Sequence, residues 1–129
     1  MATGLENLWI YKLAEELEVE VHQITKKFPK DEIYRSVDQL RRSSCSVSNN
    51  IAESYYKASI KEKTRFLNIA RCEAEETKRN ILRSSKKDFI SEEKTNDLAD
   101  KYTVLLKGIF AYIKFLMLQE AKIKKPKTK

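Results

Sequence analysis

The sequence predicts an all-α protein, and three observations support this fold class. The chain of 129 residues contains only two Gly and two Pro, and 35% of its residues are charged, so it has few of the turns that an all-β fold requires. Apolar or small residues recur at alternating spacings of three and four in four segments, as on the buried side of a helix. The connections between these segments are short. We therefore expect an antiparallel up-down-up-down four-helix bundle over residues 1–121, with helices at about 5–27, 31–55, 60–86 and 91–121.

The first two helices are separated by Phe28-Pro29, because proline cannot continue a helix. Asp31 and Glu32 follow in the first turn of the second helix, where acidic side chains complement the helix dipole. The predicted inward positions are Ile10, Ala14, Leu17, Val21 and Ile24 in the first helix, and Ile33, Val37, Leu40, Ser44, Val47, Ile51 and Tyr55 in the second.

A run of small polar residues occupies the middle of the second helix. Serine and asparagine form helices poorly because their side chains compete for backbone hydrogen bonds. Their presence therefore indicates close packing between helices, and no neighbouring base or metal ligand would make the hydroxyls nucleophilic. We expect hydrogen-bonded packing, with Gln39 and Glu53 as partners, for Ser43, Ser44, Ser46 and Asn50.

Capping signals mark the starts of the last two helices. Ser59 with Glu62 three residues later forms a capping box, and Ser91 supplies a cap hydroxyl before an acidic first turn. The predicted inward positions of the third helix are Leu67, Ala70, Ala74, Thr77, Ile81 and Ser84.

The fourth helix carries two apolar stripes. The first is Leu98, Tyr102, Leu105, Ile109, Tyr112 and Leu116, and the second contains Ala99 and four larger residues. A helix of a four-helix bundle needs only one stripe for its own core, so the second predicts burial against another subunit. The predicted interface residues are Leu106, Phe110, Ile113 and Met117.

The net charge of +7 is unevenly distributed. Residues 1–121 carry 21 basic and 19 acidic residues, and the other five lysines lie in residues 122–129. We expect this lysine-rich tail to be flexible. It is either a solubilising tail or a mobile contact to phosphate.

The basic residues are the candidate nucleic-acid contacts, because phosphate attraction responds to clustered positive charge. A merely solvated helix face, with charges paired locally, is the alternative. No known RNA-reading motif is present, so contacts would depend on charge and shape. The candidates are Arg41, Arg42, Lys61, Lys63, Arg65, Lys78, Arg79, Arg83, Lys124 and Lys125.

The residues needed for catalysis are scarce. His22 is the only histidine, and neither a paired metal-ligand motif nor a glycine-rich phosphate loop is present. Glu53 and Glu76 are interpreted as structural partners of Arg41, Arg42 or Asn50, and Cys45 and Cys72 as buried, inert thiols. We expect no enzyme activity, and no catalytic, cofactor-binding or metal-binding residue.

The expected location is the cytoplasm. No apolar run approaches the roughly 18–20 residues that span a bilayer. The first nine residues, MATGLENLW, do not have the pattern of a signal peptide. We therefore expect no membrane contact.

The second and third helices contain a distinctive pattern: Phe28-Pro29-Lys30 with Glu32 and Tyr34, then QLRRSSCSVSNNIAES at 39–54 and FLNIARCEAEE at 66–76. These segments resemble the 23S rRNA intervening-sequence proteins, a family that shares its fold with the Avd accessory proteins of diversity-generating retroelements. The resemblance extends to about Leu118. Ser48, Ser54 and Cys72 stand where the family has Pro, Gly and Gly, and the side chain of Cys72 would occupy a place of close helix approach.

The resemblance implies a ring-like homopentamer that acts without catalysis. One hypothesis is a scaffold that binds structured RNA or another nucleic acid through its basic surface. The alternative is a protein-interaction adaptor that docks a partner such as a reverse transcriptase without touching nucleic acid. Avd-like proteins imply both a reverse transcriptase and its template RNA as partners.

Overall fold

The computed structural model describes residues 4–124, which form four α-helices and no strand. They are α1 (Trp9–Thr25), α2 (Ser36–Tyr56), α3 (Ile60–Lys86) and α4 (Glu92–Lys124), with 3₁₀ turns at Leu5–Asn7 and Lys30–Glu32. The all-α prediction is confirmed. Lys125 and the rest of the predicted tail beyond it lie outside this range.

Each helix packs against the next one in the chain, and α1 also packs against α4. Arg41 Nε donates to Thr25 Oγ1 over 2.9 Å, and Ser48 Oγ donates to Glu18 Oε1 over 2.7 Å. These two contacts show that α1 and α2 run in opposite directions. The predicted inward residues of α3 are all buried, and so are those of α1, including Leu17, except for Ile24, which is partly buried against the core.

The start of α2 differs from the prediction. The helix begins at Ser36, after a 3₁₀ turn and a further turn at 33–35. Ile33 therefore lies outside the helix and is 53% exposed, so its predicted place on the inward stripe is wrong. Glu32 Oε1 accepts a 2.6 Å hydrogen bond from Ser36 Oγ, so this carboxylate reaches the helix start from the preceding turn.

The polar run of α2 packs as predicted but with other partners. The hydroxyl of Thr77 in α3 lies 2.7 Å from Ser43 Oγ, and both side chains are buried. The amide of Asn50 donates to Ser46 in its own helix. Neither Gln39 nor Glu53 bonds to these residues within the part of the chain that the structure describes, and both side chains are exposed.

The caps predicted from sequence are present. Ser59 Oγ accepts from the backbone N–H of Glu62 over 3.1 Å, and Ser91 Oγ accepts from that of Lys94 over 3.2 Å. Each cap satisfies a backbone donor that has no partner inside the helix. These caps fix where α3 and α4 begin.

A four-residue ion network joins α1 to α4. The carboxylate oxygens of Glu20 lie 2.8 Å from Lys94 Nζ and 3.2 Å from Lys101 Nζ. The carboxylate of Asp97 lies within 3.5 Å of both lysines. Burial disfavours the charged form of Glu20, but the lysine hydrogen bonds outweigh it and lower the pKa of that carboxyl. The network holds the middle of α1 to the first turns of α4.

Gly108 allows α1 and α4 to approach closely near the start of α1. A Cβ atom at Gly108 would overlap the end of the Trp9 ring and would lie 2.8 Å from Ile10 Cγ2. Since real Cβ contacts are longer, any side chain here would force the two helices or the Trp9 ring to move. Trp9 is half exposed and covers this glycine.

The last turns of α4 extend past the start of α1. The 33 residues of α4 and the 17 of α1 correspond to about 50 and 26 Å of helix. Because Trp9 lies against Gly108, the residues of α4 beyond that level have no α1 helix beside them. Phe115 and Leu118, beyond that level, are both more than half exposed, as is Ile123 in the last turn.

Candidate nucleic-acid interface

The basic candidates occupy the outer sides of α2 and α3, but the structure divides them into free and structural groups. Lys61, Arg79 and Arg83 are exposed on α3 and form no ion pair or hydrogen bond through their side chains within residues 4–124. Free, solvated cations of this kind are available to bind phosphate. These three residues are the core of the candidate interface.

Three of the other candidates hold the fold together. Lys63 Nζ donates to the backbone carbonyls of Ser54 and Tyr55 over 3.3 and 2.9 Å, so it caps the end of α2. Lys78 Nζ donates to Thr103 Oγ1 over 2.8 Å and ties α3 to α4. Arg41 bonds Thr25 across to α1, as described above. A cation at the C-terminus of a helix is a favourable structural element, and these roles compete with phosphate binding.

The remaining candidates are exposed but paired locally. Arg42 lies 3.4 Å from Asp38, Arg65 lies 3.0 Å from Glu62, and Lys124 lies 3.7 Å from Glu120. Such exposed pairs contribute about 0–1 kcal/mol, so a phosphate can displace the acidic partner at small cost. The structure does not describe Lys125.

The free cations fall at the two ends of α3. Lys61 lies near its start, and Arg79 and Arg83 lie 18 or more residues later, which is about 27 Å along a helix. The exposed Cys72 lies between the two groups. The prediction that Cys72 is buried is wrong, because it points away from the inward stripe that contains Ala70 and Ala74. Its side chain therefore does not obstruct a helix contact.

An aromatic and basic cluster at the junction of α2 and α3 was not singled out by the sequence patterns. Lys57 Nζ and the guanidinium of Arg65 lie 5.0 and 4.6 Å from the Phe66 ring centre. The rings of Tyr55 and Tyr56 meet edge to face at 5.1 Å, and Tyr56 is 72% exposed. The adjacent aromatic and basic letters, YYK and RF, were the available signal. Exposed aromatic rings beside cations are suited to base stacking.

The outer side of α2 is a shallow depression lined by small side chains. Its volume is about 480 Å³, and Arg41 and Arg42 form one end of it. Cys45 is half-buried here, and burial raises the pKa of its thiol, with the nearby Glu18 charge acting in the same direction. The thiol therefore stays protonated and is a poor nucleophile.

The opposite charge collects on α1. Glu15, Glu16, Glu18 and Glu20 surround Val19 along an open groove of about 610 Å³. These carboxylates give α1 a negative surface, in contrast to the exposed cations of α3.

The carboxylate of Glu53 does not have the partners predicted for it. Glu53 lies at the surface, 3.8 Å from Lys57, rather than beside Arg41, Arg42 or Asn50 as expected. Within residues 4–124, no group of three or more His, Cys, Asp or Glu is placed to hold a metal ion. No helix in this range is both long and apolar enough to cross a membrane.

The residues predicted to form the subunit interface differ in how much of their side chain is exposed. Phe110 and Met117 are 57% and 55% exposed, and Leu106 is partly buried against the core. Ile113 is 6% exposed within a single chain, because it faces the bundle's own core. It therefore has little surface left to offer a second subunit.

Fold and surface together define a class: a four-helix all-α protein with one acidic side and one basic side. The family model described as 23S rRNA-intervening sequence protein matches residues 6–111. The chain belongs to this family, which confirms the resemblance seen in the segments at 39–54 and 66–76. A comparison with curated proteins finds no match.

Proposed function

We propose that this protein is a non-enzymatic, homo-oligomeric scaffold that binds structured RNA through the basic side formed by α2 and α3. The observation that carries the proposal is the set of exposed, unpaired cations Lys61, Arg79 and Arg83 in a chain of the intervening-sequence family. Binding is electrostatic and responds to RNA shape, because cations on a helix surface contact phosphates and not base edges.

The aromatic and basic cluster adds a second mode of contact. Tyr56 presents its ring to solvent, and its neighbour in the chain, Lys57, lies with Arg65 over the Phe66 ring. An unpaired base of an RNA loop can stack on such a ring, which is worth about 1–3 kcal/mol per base. The scaffold thus favours folded RNA with unpaired loops over uniform duplex.

The assembly we propose is an up-down-up-down bundle repeated in a ring-like homopentamer. Trp9 of α1 contacts Gly108 of α4, and Glu20, later in α1, contacts Lys94, earlier in α4. The two helices are therefore antiparallel, which supports the proposed bundle. Phe110 and Met117, exposed on α4, supply the apolar surface between subunits. Five chains of charge +7 would carry about +35 together, which strengthens long-range attraction of RNA.

The test is a filter-binding titration with a structured RNA over a range of salt concentrations. The triple variant Lys61→Gln, Arg79→Gln, Arg83→Gln should bind at least tenfold more weakly at low salt and show a shallower salt dependence, because each lost phosphate contact reduces the slope by about 0.7–0.9. The matched control is Lys12→Gln, Lys26→Gln, Lys27→Gln, which removes the same charge from exposed positions on and just after α1.

The control variant should keep nearly all of the affinity. Equal loss in both variants would show that only net charge matters, and wild-type protein that fails to bind at low salt would overturn the proposal.

A protein adaptor is the second candidate function, and the exposed apolar end of α4 favours it. Phe115 and Leu118 line an open apolar groove with Ile123, a surface that a protein partner such as a reverse transcriptase could cover. Purification from the native host with and without nuclease separates the two functions. A partner retained after nuclease treatment supports the adaptor, and a partner lost with the RNA supports the scaffold.

A further inference from the structure

A small polar cavity lies where the start of α2 meets the last turns of α3. Its volume is about 40 Å³, and it is the most enclosed of the surface cavities at the ends of the helices. It is lined by Ser36, Gln39, Asn80, Arg83, Ser84 and Lys87. All six side chains are polar, and most of them are hydrogen-bond donors.

Two buried side chains in the cavity have no partner. Asn80 is 7% exposed and Ser84 is 2% exposed, and neither side chain makes a hydrogen bond within residues 4–124. Their polar atoms remain open to solvent through the cavity, because the fully buried side-chain polar atoms without a partner in residues 4–124 are Thr64 Oγ1 and the Tyr102 hydroxyl. The Asn80 amide and the Ser84 hydroxyl are therefore free donors that a group entering the cavity can bind.

The charges around the cavity favour an anion. Arg83 is unpaired, and Lys87 adds a second cation. Glu32 is the acidic group that faces them: Ser36 bonds it at 2.6 Å, and the pKa of its carboxyl is lowered first by this bond and further by the charges of Lys87 and Arg35. The two positive charges around the cavity therefore outnumber the single negative charge of Glu32. The start of α2 has no other side-chain cap, so its positive end adds to the field.

The volume of the cavity limits which chemical group can bind in it. About 10–15 Å³ of such volume holds one water molecule, so 40 Å³ takes about three oxygen-sized atoms. A base or a sugar is too large, whereas the two non-bridging oxygens of a phosphodiester fit.

We propose that this cavity binds a single phosphate group of the RNA backbone, with the Asn80 amide and the Ser84 hydroxyl donating to its oxygens and Arg83 pairing its charge. The proposal rests on the proposed RNA scaffold function and deepens it, because it replaces diffuse attraction at one end of α3 with a defined contact. It also gives Asn80 a role that its position in a helix interior does not explain.

The first experiment measures phosphate binding without RNA. The side-chain amide signals of Asn80 and Gln39 in ¹⁵N-labelled protein are followed while inorganic phosphate is added, and again while chloride is added at matched ionic strength. We expect a saturable shift with phosphate alone, and none at the amides of Asn68 and Asn96, which lie elsewhere on α3 and α4. Equal responses to both salts, or at all four amides, would overturn the proposal.

The second experiment measures RNA affinity in three variants. Asn80→Leu leaves the charge unchanged and should weaken binding about fivefold, the size of one lost hydrogen bond, with the salt dependence unaltered. Arg83→Gln should weaken binding more than Arg79→Gln, its exposed neighbour outside the cavity. Helical content by circular dichroism checks that each variant is folded.

The two experiments separate this inference from the function on which it rests. RNA binding that is unaffected by Asn80→Leu, together with a phosphate response, would assign the cavity to free phosphate and overturn the RNA contact. If the protein binds RNA but shows neither a phosphate-induced shift nor a loss of affinity in Asn80→Leu, the proposed phosphate site is wrong and the scaffold function remains. If wild-type protein binds no RNA, the scaffold function fails and the phosphate titration alone decides the cavity.

Discussion

Tyr102 is the residue whose environment differs most from what its chemistry requires. Its side chain is fully buried in the core, and its hydroxyl has no hydrogen-bond partner within residues 4–124. Burial raises the pKa of this phenol far above its usual value, and the charges of Glu18 and Glu20 act in the same direction. The phenol therefore remains neutral, and its hydroxyl costs free energy because it has lost water without gaining a partner.

Replacing Tyr102 by Phe should leave the free energy of unfolding unchanged or raise it by up to about 1 kcal/mol, because the change removes only the unpaired hydroxyl. Urea denaturation measures the difference. Thr77→Val is the control, since it removes a buried hydroxyl that is bonded to Ser43 and should cost about 1–2 kcal/mol. A large loss of stability in Tyr102→Phe would show that the phenol has a partner, such as a buried water.

Individual side-chain positions were predictable where periodicity decides them. The inward stripe of α3 was predicted correctly, including the buried Thr77 and Ser84. Hydrogen-bond partners were not predictable, because they depend on how neighbouring helices align. Ser43 bonds to Thr77, 34 residues away, and no local pattern specifies that distance.

At the scale of single elements, helix starts were predicted well only where a cap residue marks them. Ser59 and Ser91 fix the beginnings of α3 and α4. The predicted start of α2 lies about five residues too early, because Asp31 and Glu32 after Pro29 have the acidic pattern of a first helical turn. The chain instead makes a 3₁₀ turn at Lys30–Glu32, and Arg35 leaves helical geometry with φ −125° and ψ −106°. Propensity alone does not distinguish such a turn from a first helical turn.

The contact between α1 and α4 should weaken in acid because of Glu20. Its pKa is lowered in the folded state, so its contribution to stability is present above the ordinary glutamate pKa of about 4.3 and is lost as the pH falls through the lower, folded value. The free energy of unfolding of wild-type protein should therefore fall between about pH 5 and pH 3 more steeply than that of Glu20→Gln. Denaturant melts across this range measure both.

At neutral pH, Glu20→Gln should cost about 1 kcal/mol or less, because the pairs are partly exposed. Glu16→Gln on the exposed side of α1 is the control. Identical pH profiles for all three proteins would contradict a role for the network in acid stability.

For the whole molecule, the fold class and family followed from the sequence, whereas the surfaces required the structure. Three-four periodicity identified four helices, but it could not tell which cations cap helices and which are free. Lys63 and Lys61 are two residues apart, yet Lys63 binds the end of α2. Likewise, two apolar stripes on α4 indicated an interface, but the bundle itself covers Ile113. Phe115 and Leu118 are exposed because α4 extends past the start of α1, which depends on how the two helices align and not on any local pattern.

Assembly should depend on the exposed apolar residues of α4. We expect wild-type protein to form an oligomer and the variant Phe110→Glu, Met117→Glu to be a folded monomer, because both side chains are solvent-exposed in the single chain and charges at an apolar interface oppose association. Val19→Glu, a residue of α1 with similar exposure, should leave the oligomer intact. Sedimentation equilibrium gives the masses, and circular dichroism confirms folding.

A monomeric wild-type protein would contradict the proposed ring. An oligomer that survives Phe110→Glu, Met117→Glu would move the interface elsewhere, with the groove around Phe115 and Leu118 as the next surface to change.

The contact of Trp9 with Gly108 also gives the molecule a natural optical probe. Trp9 is the only tryptophan in the chain, and its ring covers the point where α1 meets α4. Its fluorescence therefore reports the separation of that one pair of helices, while far-ultraviolet dichroism reports helix content as a whole. If α1 detaches before the other helices unfold, emission will shift at lower denaturant concentration than dichroism, and the order of disassembly can be measured without a label.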